Sequence, residues 1–406
     1  MGKIKFLGVF AALVLGWQAV CQAQIDPEKR QLIQFGFNQP LEGHGPLAAY
    51  AFYYRNDPGF IRTNITLRLA VAPIYLDSEL GFKNALGENT DLGIGFAGGG
   101  FADSYFEVRG GKLFKEESFT GHGAEVSARI YHLFNPSQRI PLNWVMRLTG
   151  HYSVYEKDDQ TGPGFVLPDD RATVGIRTGL RWGGKEPTLS PDLAMEISTW
   201  YEGQARTGSG SYGYLGDRDI RETTHLFWAR ALLAYIIPDW QHKFSVSLTA
   251  GSSVHADRFS AYRLGGLLPL SSEFPLIIPG YYYQELTAKQ FALLSAQYLI
   301  PIDNKARWNI TMMGSAAEIE YLQGVSQPGH FHSGLGAGLG YRSPRDSWEF
   351  LLGYGYGFDA IRSGGRGSQS LGVLAQFNLE ARHHRDPLLD VEGPAKSRGL
   401  FHFLGL

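Results

Sequence analysis

The sequence predicts an all-β chain closed into a transmembrane antiparallel β-barrel of about sixteen strands. Three observations predict it. Apolar and polar residues alternate with a period of two along most of the chain. The alternating runs are often twice as long as the strands of soluble proteins, which average about five or six residues. The connections between them alternate between short and long, as they do when turns face one side of a membrane and loops the other.

Composition fits this fold. The chain has 406 residues, 44% hydrophobic and 19% charged, with a formal charge of -2. The mean hydropathy of -0.17 argues against a bundle of transmembrane helices. It does not argue against a barrel, whose strands carry one apolar and one polar face that cancel. The 51 Gly, 21 Tyr, 25 Phe and 8 Trp suit tight turns and aromatic girdles. So many aromatics argue against disorder, and the near-zero charge gives no support for a nucleic-acid partner.

The first residues read as an export signal. Lys3 and Lys5 precede an apolar run from Phe6 to Trp17, and small residues Ala19 and Ala23 offer cleavage positions, with cleavage expected after Ala23. A signal peptide over 1–23 directs the mature chain to the periplasm, the outer membrane or the outside. The single cysteine, Cys21, lies within it, so the mature chain forms no disulfide. Lipidation of Cys21 is the alternative, and Gln18-Ala19-Val20 is a poor signal for it. Further along, the run Leu226 to Ile237 is too short to cross as a helix and contains Arg230.

The strands follow in order at 31–36, 47–54, 63–76, 91–99, 103–108, 121–134, 142–155, 173–183, 192–203, 224–236, 242–254, 290–302, 306–321, 330–342, 347–359 and 369–380. Ile65, Leu67, Leu69 and Val71 oppose Asn64, Thr66 and Arg68. Val126, Ala128 and Ile130 oppose Glu125, Ser127 and Arg129. Val174, Ile176, Leu180 and Trp182 oppose Arg177 and Arg181. Phe244, Val246, Leu248 and Ala250 oppose Lys243, Ser245, Ser247 and Thr249. The clearest case is 347–359, where Trp348, Phe350, Leu352, Tyr354, Tyr356 and Phe358 share one face opposite Glu349, Gly353, Gly355 and Gly357. Turn clusters such as Asn56-Asp57-Pro58-Gly59, Asn135-Pro136-Ser137 and Ser343-Pro344-Arg345-Asp346 separate the segments.

Alternation alone fits a soluble sandwich as well as a barrel. Strand length, the loop asymmetry and aromatics near strand ends favour the membrane, with Trp144, Tyr152, Tyr155, Trp182, Tyr201, Trp308 and Tyr321 placed as interfacial girdles would be. The connections near 135–141 and 237–241 are short, and those near 156–172, 203–223 and 255–289 are long. The barrel is expected over 24–381, followed by an extension over 382–406.

The longest connection carries Leu264-Gly265-Gly266, then Leu270-Ser271, then Pro279-Gly280-Tyr281-Tyr282-Tyr283, then Glu285-Leu286. This order resembles the Omp85 superfamily of outer-membrane barrels, also called bacterial surface antigens, and within it the patatin-type members. Ser370, Gly372 and Phe377 are similar to the family's terminal-strand signal. The resemblance implies sixteen strands, with a loop between the eleventh and twelfth folded into the lumen to plug or gate it. The strand list agrees, with eleven segments before this loop and five after. Pro279 stands where the family carries Arg, and Thr311-Met312-Met313-Gly314 where it carries the partner acid. The loop is therefore expected to be seated by packing of Tyr281 to Tyr283 rather than by that charged tether. The stretch between Ala23 and the strand at 47–54 is too short for a periplasmic POTRA module. This points away from a full insertase or two-partner-secretion role.

Other motifs weigh less. Gly93, Gly95 and Gly98 fit a dinucleotide fingerprint by letter but open no helix. Gly334, Gly336, Gly338 and Gly340 share one strand face, where another backbone, naturally the inserted loop, can approach closely. His332 and Ser333 are adjacent and so point to opposite faces; His330 and His332 share a face without a further ligand. Arg68, Arg129, Arg147, Arg177 and Arg181 form either a basic patch that biases a pore toward anions or ordinary ion pairs with Glu125 and Glu196.

The expected protein is a non-catalytic outer-membrane barrel serving as a pore, a translocator or a partner anchor. It needs no cofactor or metal. Its partners are outer-membrane lipid and a separately encoded periplasmic protein. Two readings stay open beside it: a barrel lipid hydrolase using His332 with a serine, and a secreted soluble all-β binding protein that buries the apolar face of 347–359.

Overall fold

A computed structural model describes residues 28–138, 140–190, 193–237, 239–268 and 274–383. The expected signal peptide at 1–23 with Cys21, and the extension beyond 383, lie outside the described residues. The strands are β1 (Arg30–Pro40), β2 (Ala48–Pro58), β3 (Ile65–Ala72), β4 (Tyr75–Phe82), β5 (Thr90–Gly99), β6 (Tyr105–Arg109), β7 (Lys112–Leu133), β8 (Leu142–Glu156), β9 (Arg171–Ser190), β10 (Leu193–Arg206), β11 (Gly210–Tyr212), β12 (Arg218–Ile220), β13 (Thr223–Ile237), β14 (His242–Val254), β15 (Tyr262–Leu264), β16 (Leu286–Pro301), β17 (Trp308–Tyr321), β18 (Phe331–Arg342), β19 (Trp348–Arg362) and β20 (Gly365–Asn378).

Among the described residues the main sheet holds eighteen strands. Two of them, β6 and β15, are short loop strands that pair with the ends of β7 and β16. The other sixteen form a wall in which each strand runs antiparallel to the next. The wall closes where β1 pairs with β20, in register from Leu32 opposite Asn378 to Pro40 opposite Ser370. Closure removes both free edges of the sheet, as a wall in lipid requires. Ser370, Gly372 and Phe377 all lie in this seam, opposite Pro40, Asn38 and Ile33.

The apolar face lies outside. Ile33, Phe35 and Phe37 of β1, Ile94 and Phe96 of β5, Leu294 of β16, and Trp348, Phe350, Leu352, Tyr354 and Phe358 of β19 are exposed. Their neighbours Gln34, Glu349 and Leu351 are buried toward the lumen. An apolar outside around a closed wall is a lipid-facing surface. The reading as a secreted soluble protein is thereby corrected, because among the described residues no second layer covers the apolar face of β19.

Two strand assignments change. The segment 63–76 is two strands, β3 and β4, joined by a tight turn at Pro73 and Ile74. Pro73 has no N–H to give to a ladder and pre-sets a turn. The segment 103–108 is β6, which pairs with the extension of β7 beyond the wall and is not part of it. The two differences offset each other, so the wall still has sixteen strands. The loop 255–285 lies between β14 and β16, the eleventh and twelfth wall strands.

With an even number of wall strands, both ends of the wall lie at one rim. The three longest connections, 157–170, 207–222 and 255–285, lie at the other. There the loops build a small core of Tyr105, Phe119, Phe165, Tyr212 and Ile220. Arg218, buried beside it, pairs with Glu107 at 3.7 Å and with Glu117.

Leu294 lies outward, midway along β16. Leu294→Arg is expected to destabilise the barrel by about 2–4 kcal/mol, the cost of a cation at the bilayer midplane. Urea-dependent folding into lipid vesicles, followed by heat-modifiable gel migration, measures it.

Candidate functional site: a loop seated on the lumen wall

The loop 255–285 leaves β14 through a tightly bonded turn. Asp257 Oδ1 accepts from the backbone N–H groups of Phe259 and Ser260, both at 3.1 Å, and its other oxygen pairs with Arg206. β15 then lies along the start of β16, and Tyr262 donates to the carbonyl of Phe227 at 2.9 Å. Gly265 and Gly266 follow with φ of +125° and +104°. In that region a side chain is strained, and at Gly265 it would also strike the carbonyl oxygen of Tyr282. These two glycines turn the chain inward. The returning leg holds the turn, since Gly265 N–H donates to Leu276 O and Gly266 bridges to Ile278.

The inward-folded unit rests on a wall that is almost free of side chains. A Cβ at Gly334 would lie 2.2 Å from the Pro279 carbonyl oxygen, and a Cβ at Gly280 would lie 1.9 Å from the backbone nitrogen of Gly357. Backbone therefore meets backbone at the loop tip. Leu267, fully buried, lies over Gly336, Gly353 and Gly355, and Leu268 lies over Gly372. Leu264, Leu267, Leu268, Ile278 and Tyr281 are all at most 2% exposed.

The glycine stripe divides. Gly334 and Gly336 touch the loop. Gly338 and Gly340 face the wall side chains of Leu351 and Asn309. The rest of the patch is Gly353, Gly355 and Gly357 of β19, which stand opposite Gly338, Gly336 and Gly334. Their period-two spacing was visible in the sequence, and their pairing with β18 was not.

Polar contacts fix the tip. Tyr281 Oη lies 3.0 Å from His332 Nδ1, and Tyr321 Oη is bonded to His332 Nε2. Burial holds the Tyr281 hydroxyl well above its ordinary pKa, so it stays neutral. A neutral imidazole has one donor and one acceptor nitrogen. One tyrosine therefore donates to the ring and the other accepts from it. Ser333 lies on the other strand face and donates to Asp359 Oδ2 at 2.8 Å. His330 Nδ1 lies against the carbonyl of Ile319 at 2.9 Å.

A charged tether is present, built from residues other than the pair that the sequence resemblance implied. Arg362, at the end of β19, reaches Glu285 with two parallel N–H bonds of 2.8 and 2.9 Å, both side chains almost fully buried. The guanidinium lies 3.7 Å above the ring of Tyr282. Glu285 also accepts from the Tyr282 backbone N–H at 2.8 Å. The expectation that packing of Tyr281 to Tyr283 replaces a charged tether is corrected: the acid stands at the end of the loop and the arginine on the wall. Such bidentate pairs are among the stronger hydrogen bonds.

Across the lumen the five expected arginines are paired. Arg129 meets Glu79 at 2.8 Å, Arg177 meets Glu202 at 3.3 Å and Arg181 meets Glu196 at 2.8 Å. Arg147 pairs with Glu125, and Arg68 lies 3.5 Å from Asp77. The ion-pair reading of this wall holds in place of a basic patch. Arg68 and Asp77 keep about a third of their side-chain surface open (32% and 33%), so water reaches this half of the lumen.

Comparison with solved structures places the fold. The chain is similar to CdiB from Acinetobacter baumannii (TM-score 0.58, 10% identity, 86% of this chain and 60% of that one). It is similar to CdiB from Escherichia coli (TM-score 0.55, 10% identity, 86% and 63%). It is also similar to BamA from Haemophilus ducreyi lacking POTRA domains 1–3 (TM-score 0.52, 10% identity, 86% and 71%). The chain spans less than two thirds of either CdiB chain. No protein-family model matches the chain, and no curated protein matches it in sequence. The fold is that of a bacterial outer-membrane barrel, and the apolar exterior places it in that membrane.

Gly357→Val is expected to push the tip off the wall while the barrel still folds. Limited trypsin digestion in lipid vesicles should then cut at Arg258 and Arg263 several-fold faster. Gly364→Val, at a position with open space around it, should leave the cleavage rate at the wild-type value.

Proposed function

We propose that the protein is a non-catalytic, gated passage across the outer membrane, of the Omp85 type, in which loop 255–285 sets whether the lumen conducts. One observation carries the reading. The loop between the eleventh and twelfth wall strands lies inside the barrel, on a glycine patch, held by the buried pair Glu285–Arg362. A loop wanted only for packing needs no charge there. Removing one partner of a buried pair leaves the other uncompensated at about 3–5 kcal/mol, so the tether is a single strong and breakable contact. The partly exposed ion pairs on the opposite wall are consistent with a water-filled path beside the loop. The likeness to CdiB and BamA barrels supports the same type through the fold. The closer likeness to patatin-type members rests on the order of loop motifs alone. A separately encoded periplasmic protein that delivers the transported material belongs to the proposal, as does outer-membrane lipid around the wall.

The geometry at His332 supports a barrel without chemistry. Both ring nitrogens are engaged by tyrosines, and the neighbouring serine is on the other face. His332→Ala is expected to leave ester hydrolysis at background, the same as wild type; a loss of measurable esterase activity in the variant would make the barrel a hydrolase.

Planar-bilayer recording tests the gate. Arg362→Ala is expected to raise the open probability or mean conductance several-fold over wild type. Conductance unchanged by the loss of Arg362 would remove the loop as a gate.

A further inference from the structure

We propose that Trp200, Trp228, Arg177 and Arg230 form a binding site for an aromatic ring, which Phe274 of the loop occupies as a tethered stand-in. Trp200 and Trp228 stand directly opposite each other on β10 and β13, both facing the lumen. Their rings stack at 5.5 Å with 15° between planes. Phe274 enters from the loop and meets Trp228 edge-on at 4.4 Å and Trp200 at 5.6 Å. The guanidinium carbons of Arg177 and Arg230 each lie 5.2 Å from the centre of its ring. Arg177 also lies 4.8 Å from Trp200 and 5.5 Å from Trp228.

The walls of this site do not depend on Phe274. Glu202 holds Arg177 at 3.3 Å and accepts from Trp228 Nε1 at 3.1 Å. Glu196 holds Arg230 at 3.2 Å. Two stacked indoles and two fixed guanidiniums select an aromatic ring, by edge-to-face contact and by the attraction of a cation for the ring face. An aliphatic ligand would gain neither. Trp200 is 6% exposed, and its Nε1 has no acceptor among the described residues. An aromatic ligand that carries a carbonyl beside its ring fits that donor. Both features occur together in a phenylalanine or tyrosine residue of a polypeptide, and the ring alone occurs in a free aromatic solute.

The inference rests on the gated-passage reading in one respect: the site empties when the loop withdraws. A chain bearing an aromatic residue then competes with Phe274 and delays the return of the loop. The site itself can be tested with the loop in place.

The experiment uses the purified full chain in detergent and Phe274→Ala, which removes the occupant without moving the wall. Binding of N-acetylphenylalaninamide is followed by tryptophan fluorescence and by calorimetry, with benzyl alcohol as the free-ring arm. Phe274→Ala should bind the amide about tenfold tighter than wild type, a difference of about 1.4 kcal/mol, and adding Trp200→Ala should abolish the gain. Should that double variant fail the heat-modifiability check, Arg177→Gln in the Phe274→Ala background takes its place, with an expected several-fold loss. Tighter binding of the amide than of benzyl alcohol assigns a polypeptide source, and equal binding assigns the ring alone. No gain on removing Phe274, or a gain that survives both wall variants, overturns the site. Neither readout involves conductance, so a failed gate and a failed site give different results.

Discussion

The loop in the lumen depends on one steric condition: its backbone must reach the backbone of the wall. Pro279 and Gly280 lie so close to Gly334, Gly355 and Gly357 that a single methyl group at Gly334 or Gly355 would collide with them, and one at Gly357 would strike the ring of Tyr281. Once the tip is seated, the other contacts follow from position. Leu267 and Leu268 cover the neighbouring glycines, Tyr281 reaches His332, and Glu285 arrives opposite Arg362. The condition is geometric rather than energetic in origin, since glycine adds no contact of its own and only permits the approach. The energy comes from the buried leucines, the hydrogen bonds and the ion pair that the approach brings together.

The two halves of the lumen answer to different demands. On β18 to β20 the wall is smooth and dry because the loop is its partner. On β3 to β10 the wall is charged and partly wet. Arg129, Arg147 and Arg177 stand directly opposite one another on adjacent strands, an arrangement that would repel if left alone. Each is taken by its own carboxylate. Balanced pairing keeps the strand register and leaves a polar surface that does not trap ions of one sign. Outside, the sixteen wall strands meet hydrocarbon, so the same residues that leave mean hydropathy near zero are sorted into two solvents.

Much of this was legible in the sequence, because period-two alternation reports burial on each strand separately. The faces of 347–359, nine of the eleven segments before the loop and all five after it could be read without knowing which strand pairs with which. Pairing is what the sequence hides. The split of 63–76 at Pro73 and the displacement of 103–108 onto the outer end of β7 depend on partners. The glycines of β18 were evident as a stripe, but only their register with Gly353, Gly355 and Gly357 makes a patch. The tether was missed for the same reason: Glu285 closes the loop motif, but Arg362 is far from it in sequence and carries no motif of its own. The box around Phe274 joins residues of β9, β10, β13 and the loop, and no local pattern could announce it.

The account stands or falls on where the loop tip lies in the membrane-embedded protein. A photoreactive benzoylphenylalanine placed at Tyr281 and activated in intact cells tests this directly, with the cross-linked peptide identified by mass spectrometry. The account predicts a link to β17 or β18, in the peptides that carry Tyr321 and His332. A link confined to the surface loops 157–170 or 207–222, or to another protein outside the barrel, would contradict it.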